Sequence, residues 1–113
     1  MNLLSWLQSS FSVRQKALWN YKRGMARAKR RDHEGALAKY TAAIDSKDVP
    51  DDVKAMALYN RALVYVATGD DSKGVDDLDT VLAMDGEIMI VNVKTMAKRK
   101  LGKMKSRCSK SNT

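Results

Sequence analysis

The sequence predicts an all-helical protein made of antiparallel helical hairpins, and three observations carry that expectation. Sliding the chain by 38 residues brings a set of residues into register with one another. Within each unit apolar residues recur with a period near 3.6, stop, and recur again, as two helices joined by a turn require. One proline and six glycines in 113 residues leave little room for turn-rich architecture, while 44% apolar against 30% charged residues is an ordinary globular balance. That length suits one cooperative domain rather than two.

The repeat pairs Lys16 with Lys54, Ala17 with Ala55, Tyr21 with Tyr59, Arg23 with Arg61 and Asp32 with Asp70. Similar residues share the frame at Leu18/Met56, Gly24/Ala62, Met25/Leu63, Leu37/Val75, Ala43/Val81 and Ile44/Leu82. A partial third copy follows at a shift of 40, where Val93-Lys94-Thr95-Met96-Ala97 echoes Val53-Lys54-Ala55-Met56-Ala57, and Gly102 echoes Ala62.

Taken in order, residues 1–12 are expected to be an arm or a capping helix. Ser12 and Gln15 stand at capping-box spacing, so a helix starts at Val13 and runs to about Arg31. After a turn at Arg31-Asp32, a second helix covers about His33 to Asp45, with Ala36, Leu37, Tyr40, Ala43 and Ile44 on its buried stripe. In the second unit Asp51 and Asp52 are expected to cap a helix after Pro50, Gly69 to end it, and Asp70 to open the next, which carries Val75, Leu78, Val81 and Leu82. A final helix spans about Ile90 to Lys105, and residues 106–113 form a basic tail that frays. Close approach of the paired helices is expected where Gly24 faces Ala36 and Ala62 faces Gly74.

Leu58-Tyr59-Asn60-Arg61-Ala62-Leu63-Val64-Tyr65, then Gly69-Asp70, Leu78, Val81-Leu82 and Asp85 resemble a tetratricopeptide repeat. The first unit is similar through Gly24, Ala36, Tyr40 and Ala43, and departs where Arg27 replaces an aromatic and Arg23 a leucine. The resemblance implies hairpins stacked as a short superhelix over residues 13–105, with a protein-binding scaffold as the function. It also implies a concave groove lined by the first helix of each hairpin. Carried over position by position, that groove is Leu18, Tyr21, Met25, Ala28 and Lys29 with Met56, Tyr59, Asn60, Leu63, Val66 and Ala67, and it takes a peptide or helix of a partner protein. One version of such a groove clamps the C-terminal carboxylate of heat-shock chaperones. Asn60 matches that clamp's second-helix position and Lys94 or Lys100 its third, but Tyr21 and Met25 stand where its first Lys and Asn belong, so half the clamp is missing.

Charge suggests a second class of partner. Residues 1–31 hold eight bases and no acid, residues 32–93 five bases and thirteen acids, and residues 94–113 eight bases and no acid. Arg23, Arg27, Arg30 and Arg31 share one face of a helix by spacing, and Lys94, Lys98, Arg99 and Lys100 crowd the last helix. Such stripes attract acidic proteins, nucleic acid or anionic lipid, or else balance the acidic middle of the same chain. Residues 1–13, with Leu3, Leu4, Trp6, Leu7, Phe11 and Val13, fit a cap on the first hairpin, an interfacial membrane anchor, or an arm docked in a groove.

Catalysis is not expected. The single histidine, His33, and single cysteine, Cys108, are far apart, and there is no nucleophile elbow, phosphate-binding glycine loop or metal-ligand spacing. No cofactor is expected. One cysteine excludes an intrachain disulfide and suits a reducing, cytoplasmic setting, as does an N-terminus without the pattern of a secretory leader.

Overall fold

The computed structural model describes residues 12–111, and over them the protein is helical with no strand. Five helices follow one another: α1 (Val13–Lys29), α2 (His33–Ile44), α3 (Asp51–Ala67), α4 (Asp71–Leu82) and α5 (Ile88–Ser111). Of residues 1–13, for which the sequence admits alternatives, 1–11 lie outside the described residues, while Ser12 is the N-cap and Val13 the first residue of α1. At the other end α5 continues to Ser111, past the Lys105 expected from its apolar stripe and through most of the expected tail. Residues 106–111 are Ser, Arg, Cys, Ser, Lys and Ser, and they extend a helix already nucleated upstream, where each added residue needs only one further backbone hydrogen bond.

Ser12 caps α1 as its spacing predicts. Its side chain accepts from the Gln15 backbone N–H at 3.1 Å, and Gln15 Oε1 accepts from the Ser12 N–H at 2.9 Å. Asp32 caps α2, accepting from the Gly35 N–H at 3.0 Å. The start of α3 differs from expectation. Pro50 holds the N-cap position without a side-chain cap, and Asp51 and Asp52 lie in the first turn. Asp52 is turned outward because Arg14 takes both its oxygens, at 2.9 and 2.8 Å. Asp70 holds the N-cap position of α4, again with no side-chain cap, and instead lies 3.6 Å from Lys73 Nζ.

Each hairpin turns the same way. The Asp32 N–H donates to the Arg27 carbonyl and the Asp70 N–H to the Tyr65 carbonyl, closing equivalent loops. The residue between helix and cap must then take a left-handed conformation. In the second hairpin it is Gly69 at φ +86, but in the first it is Arg31 at φ +59. Arg31 therefore stands beyond α1, off the face that its spacing had assigned to it.

The hairpins α1/α2 and α3/α4 stack in chain order, and α5 packs on the second one. Among the described helices α3 touches the other four, whereas α1 meets only α2 and α3, and α5 only α3 and α4. One buried cluster joins Ala36 and Tyr40 of α2 to Val64 of α3; a larger one joins Leu58 and Ala62 of α3, Leu78 and Val81 of α4, and Val93, Ala97 and Met104 of α5. Val53, Ala57 and Val64 of α3 are all buried, and so are their counterparts forty residues on, Val93, Ala97 and Met104. The third, partial copy thus seats itself on the second hairpin as the second seats itself on the first.

Close helix approach occurs at both expected glycines, with one difference in partner. A β-carbon on Gly74 would lie 2.8 Å from Val66 Cγ2 and 3.3 Å from the Ala62 carbonyl oxygen, as the pairing of Ala62 with Gly74 predicts. A β-carbon on Gly24 would lie 2.6 Å from the Tyr40 ring. Gly24 makes room for Tyr40 rather than for Ala36.

Candidate partner-binding face

α1, α3 and α5 form one layer, with α2 and α4 behind it, and the layers sort charge in a way no linear count shows. α1 carries Arg14, Lys16, Lys22, Arg23, Arg27 and Lys29 with no acid, and α5 carries eight bases with none. Four of the five charges on α4 are acids: Asp71, Asp76, Asp77 and Asp79. Basic helices therefore flank α3 in the front layer, and acid collects behind it.

The residues assigned to a groove lie on this front layer. Leu18, Tyr21, Ala28, Met56, Tyr59, Asn60, Leu63 and Val66 are half-buried; Met25, Lys29 and Ala67 are exposed. A hydrogen bond sets the register between α1 and α3: Asn60 Nδ2 donates to Tyr21 Oη at 3.2 Å and to the Met56 carbonyl at 2.8 Å. Tyr21 also tilts against Tyr40, ring centroids 6.0 Å apart. Burial raises the Tyr21 phenol above its ordinary pKa, opposed in part by Asn60, and pushes Tyr40 up to about 12. Both rings are neutral at physiological pH and present apolar faces and hydrogen-bonding hydroxyls rather than charge.

Not every groove residue is equally available. Met56, Tyr59 and Val66 pack against the larger buried cluster, and Val66 fills the space beside Gly74. Tyr21 and Ala28 pack against the smaller one. Met25 and Leu63 belong to neither cluster, and one helical turn from Tyr21 and Asn60 they continue the same line. The best-placed apolar contacts for a partner are thus Met25 and Leu63, flanking the Tyr21–Asn60 link.

The basic patch divides in the same manner. Arg27 pairs with Asp32 at 2.9 Å inside its own hairpin, which explains how an arginine stands where the repeat pattern has an aromatic. Lys94 Nζ donates to the Met84 carbonyl at 3.0 Å and ties the start of α5 to the end of α4. Arg23 lies over the Trp19 ring, 5.8 Å from its centroid. Arg30, Arg31, Lys98 and Arg99 are exposed and Lys100 half-buried. Arg14 with Asp52, and Arg107 with Asp71 at 3.5 Å, join the basic ends to the acidic middle.

Two features escape a reading by spacing. Arg61 donates to both oxygens of buried Asp77, at 2.8 and 2.7 Å, and to Thr41 Oγ1 at 3.0 Å, binding α2, α3 and α4 together. Asp77 therefore belongs to the interior, although its acidic neighbours Asp76 and Asp79 are exposed; the available signal was that Arg61 occupies a position where the repeat pattern has an apolar residue. The other is Trp19, 62% exposed on the outer side of α1.

His33 opens α2, half-buried. Among the described residues no group of three or more His, Cys, Asp or Glu side chains is placed to hold a metal ion. Within them, too, no helix is long and apolar enough to cross a membrane. No family model, curated protein or solved structure matches the chain.

Proposed function

We propose that the chain is a protein-interaction module of the tetratricopeptide-repeat type, an adaptor that takes a peptide or helix of a partner protein across the front of α1 and α3. The observation that supports this most directly is the line Met25, Tyr21, Asn60, Leu63. It places solvent-accessible apolar side chains from two adjacent helices beside a hydrogen bond that fixes their spacing. A rigid pair of helices presenting a few apolar contacts around a polar anchor is how helical grooves gain both affinity and orientation. The basic flanks on α1 and α5 favour an acidic partner. The single cysteine, Cys108, makes the cytoplasm the compartment of this reading.

The test is a pull-down with wild type and a Met25→Ala, Leu63→Ala double variant, washed at low and high salt. These two residues are better probes than Tyr59, whose ring packs on the core and whose removal would loosen the fold. A protein retained by the wild type at high salt and lost by a variant of unchanged helicity is the expected result. Equal retention by both would move the binding surface off this face.

A further inference from the structure

We propose that the outer side of α1 is a second binding surface, one that seats the protein on an anionic lipid bilayer. Ala17 and Gly24 are buried and turn one side of α1 inward. The opposite side carries Gln15, Trp19, Lys22 and Ala26 at helical spacing, continued by Arg30 at the C-cap, with Lys16, Arg23 and Lys29 beside them, and every one of these is exposed. The composition of that stripe is unusual for an end face of a helical stack. An uncovered end would show aliphatic residues awaiting a neighbouring helix; a plain solvated end would show no large apolar group. This stripe shows neither: it is one tryptophan, 62% exposed, inside a set of cations with no acid on the helix.

Indole is the side chain best suited to the boundary between headgroups and acyl chains, with an apolar body and one N–H donor. Lysine and arginine on the same side add attraction to negatively charged headgroups, and their aliphatic stems tolerate partial burial. Arg23 lies over the Trp19 ring, which still keeps more than half of its surface exposed. No acid occurs before Asp32, so the charge around this stripe is of one sign. Attachment needs both signals, since neither one tryptophan nor a handful of exposed cations holds a protein on a membrane alone. A nucleic-acid strand would also stack a base on the indole, so partitioning onto vesicles free of nucleic acid, rather than dependence on Trp19, separates the two partners. This surface lies on the other side of α1 from Ala17 and Gly24 and does not rest on the groove reading.

The experiment is flotation with vesicles of phosphatidylcholine alone and of phosphatidylcholine with about one third phosphatidylserine, using the full chain. The wild type should float with the anionic vesicles and not with the neutral ones. Trp19→Ala should weaken partitioning by roughly ten-fold, from loss of buried indole area, and Lys22→Gln with Arg30→Gln by roughly five-fold per charge removed. In a Trp6→Phe background Trp19 is the only tryptophan, and its emission should shift to the blue with anionic vesicles. Circular dichroism of each variant should match wild type, since none of the three residues is buried. Failure to float with anionic vesicles at low salt overturns the proposal. So does flotation that Trp19→Ala leaves unchanged, or an emission from Trp19 that does not move.

Discussion

The two hairpins share a register but hold themselves together differently. In the second, Arg61 reaches Asp77 and Thr41 and makes a buried polar tie across three helices. In the first, the same register places Arg23 opposite Lys39, so no pair is possible, and Arg23 turns out to stack on Trp19. The first hairpin instead fits a large ring, Tyr40, against a glycine; the second fits Leu78 against Ala62. One repeat thus has two solutions, one aromatic and tightly fitted, the other ionic. A short helical stack evidently requires close contact between its paired helices, not a particular chemistry for achieving it.

The two hairpins differ most in energy at the ionic tie. Removing one partner of a buried pair strands the other, so Arg61→Ala should cost about 3 kcal/mol in urea unfolding, whereas Arg23→Ala should stay within about 0.5 kcal/mol. Equal losses would show that the register, not the pair, matters at both positions. Next comes the ring fit. Gly24→Ala should cost about 1–3 kcal/mol by pressing on Tyr40, and adding Tyr40→Leu, which copies the second hairpin, should restore part of that loss. A double variant less stable than Gly24→Ala alone would end the claim that the two arrangements are interchangeable.

Helix starts sharpen the same contrast. Ser12 and Pro50 occupy one register, yet only Ser12 caps with its side chain, so Ser12→Ala should cost about 1 kcal/mol in thermal unfolding. At the turns, Gly69→Ala should cost about 1 kcal/mol and Arg31→Gly should gain a similar amount, because only the first hairpin asks a side chain to take positive φ. Changes of equal sign at the two sites would contradict the shared turn geometry.

The smallest effect is with pH. The Arg14 guanidinium holds the Asp52 carboxyl below the usual carboxylate range, and the Gly35 N–H with Arg27 does the same for Asp32. Since the folded values lie below the unfolded ones, this contribution is complete above the unfolded range, near about pH 4, and fades as pH falls through the folded values. The difference in melting temperature between wild type and Asp52→Asn should therefore be constant from pH 7 to about 5 and shrink in acid. A difference that instead grew below pH 4 would contradict the pairing.

Much of this architecture was legible because it is local or periodic. The Ser12/Gln15 spacing, the 3.6-residue stripes and the 38-residue offset each depend on neighbours along one helix or on self-similarity, and each reappears in the structure. What spacing could not supply were relations across helices. Asp51 and Asp52 read as caps because acids at a helix start usually are, but the side chain of Asp52 answers to Arg14, 38 residues away. Asp77 reads as surface among its acidic neighbours until Arg61 is seen to face it. The basic ends read as two uniform patches, whereas Arg27 and Lys94 are taken up by the fold and Arg31 leaves the helix. The candidate site was therefore legible as a list of helix positions; which of them stay open to a partner was a matter of packing.

The contacts of α3 with every other helix give the molecule a kinetic centre. Fraying can enter from α1 or from α5, since among the described helices each packs on one side only, but neither opening needs α3 to move. Amide protons in the middle of α3 should consequently exchange with solvent only when the whole chain opens, and those of α1 and α5 sooner and independently. Whatever docks on the outer helices then slows exchange locally, and only an occupant that spans the front layer slows the centre as well.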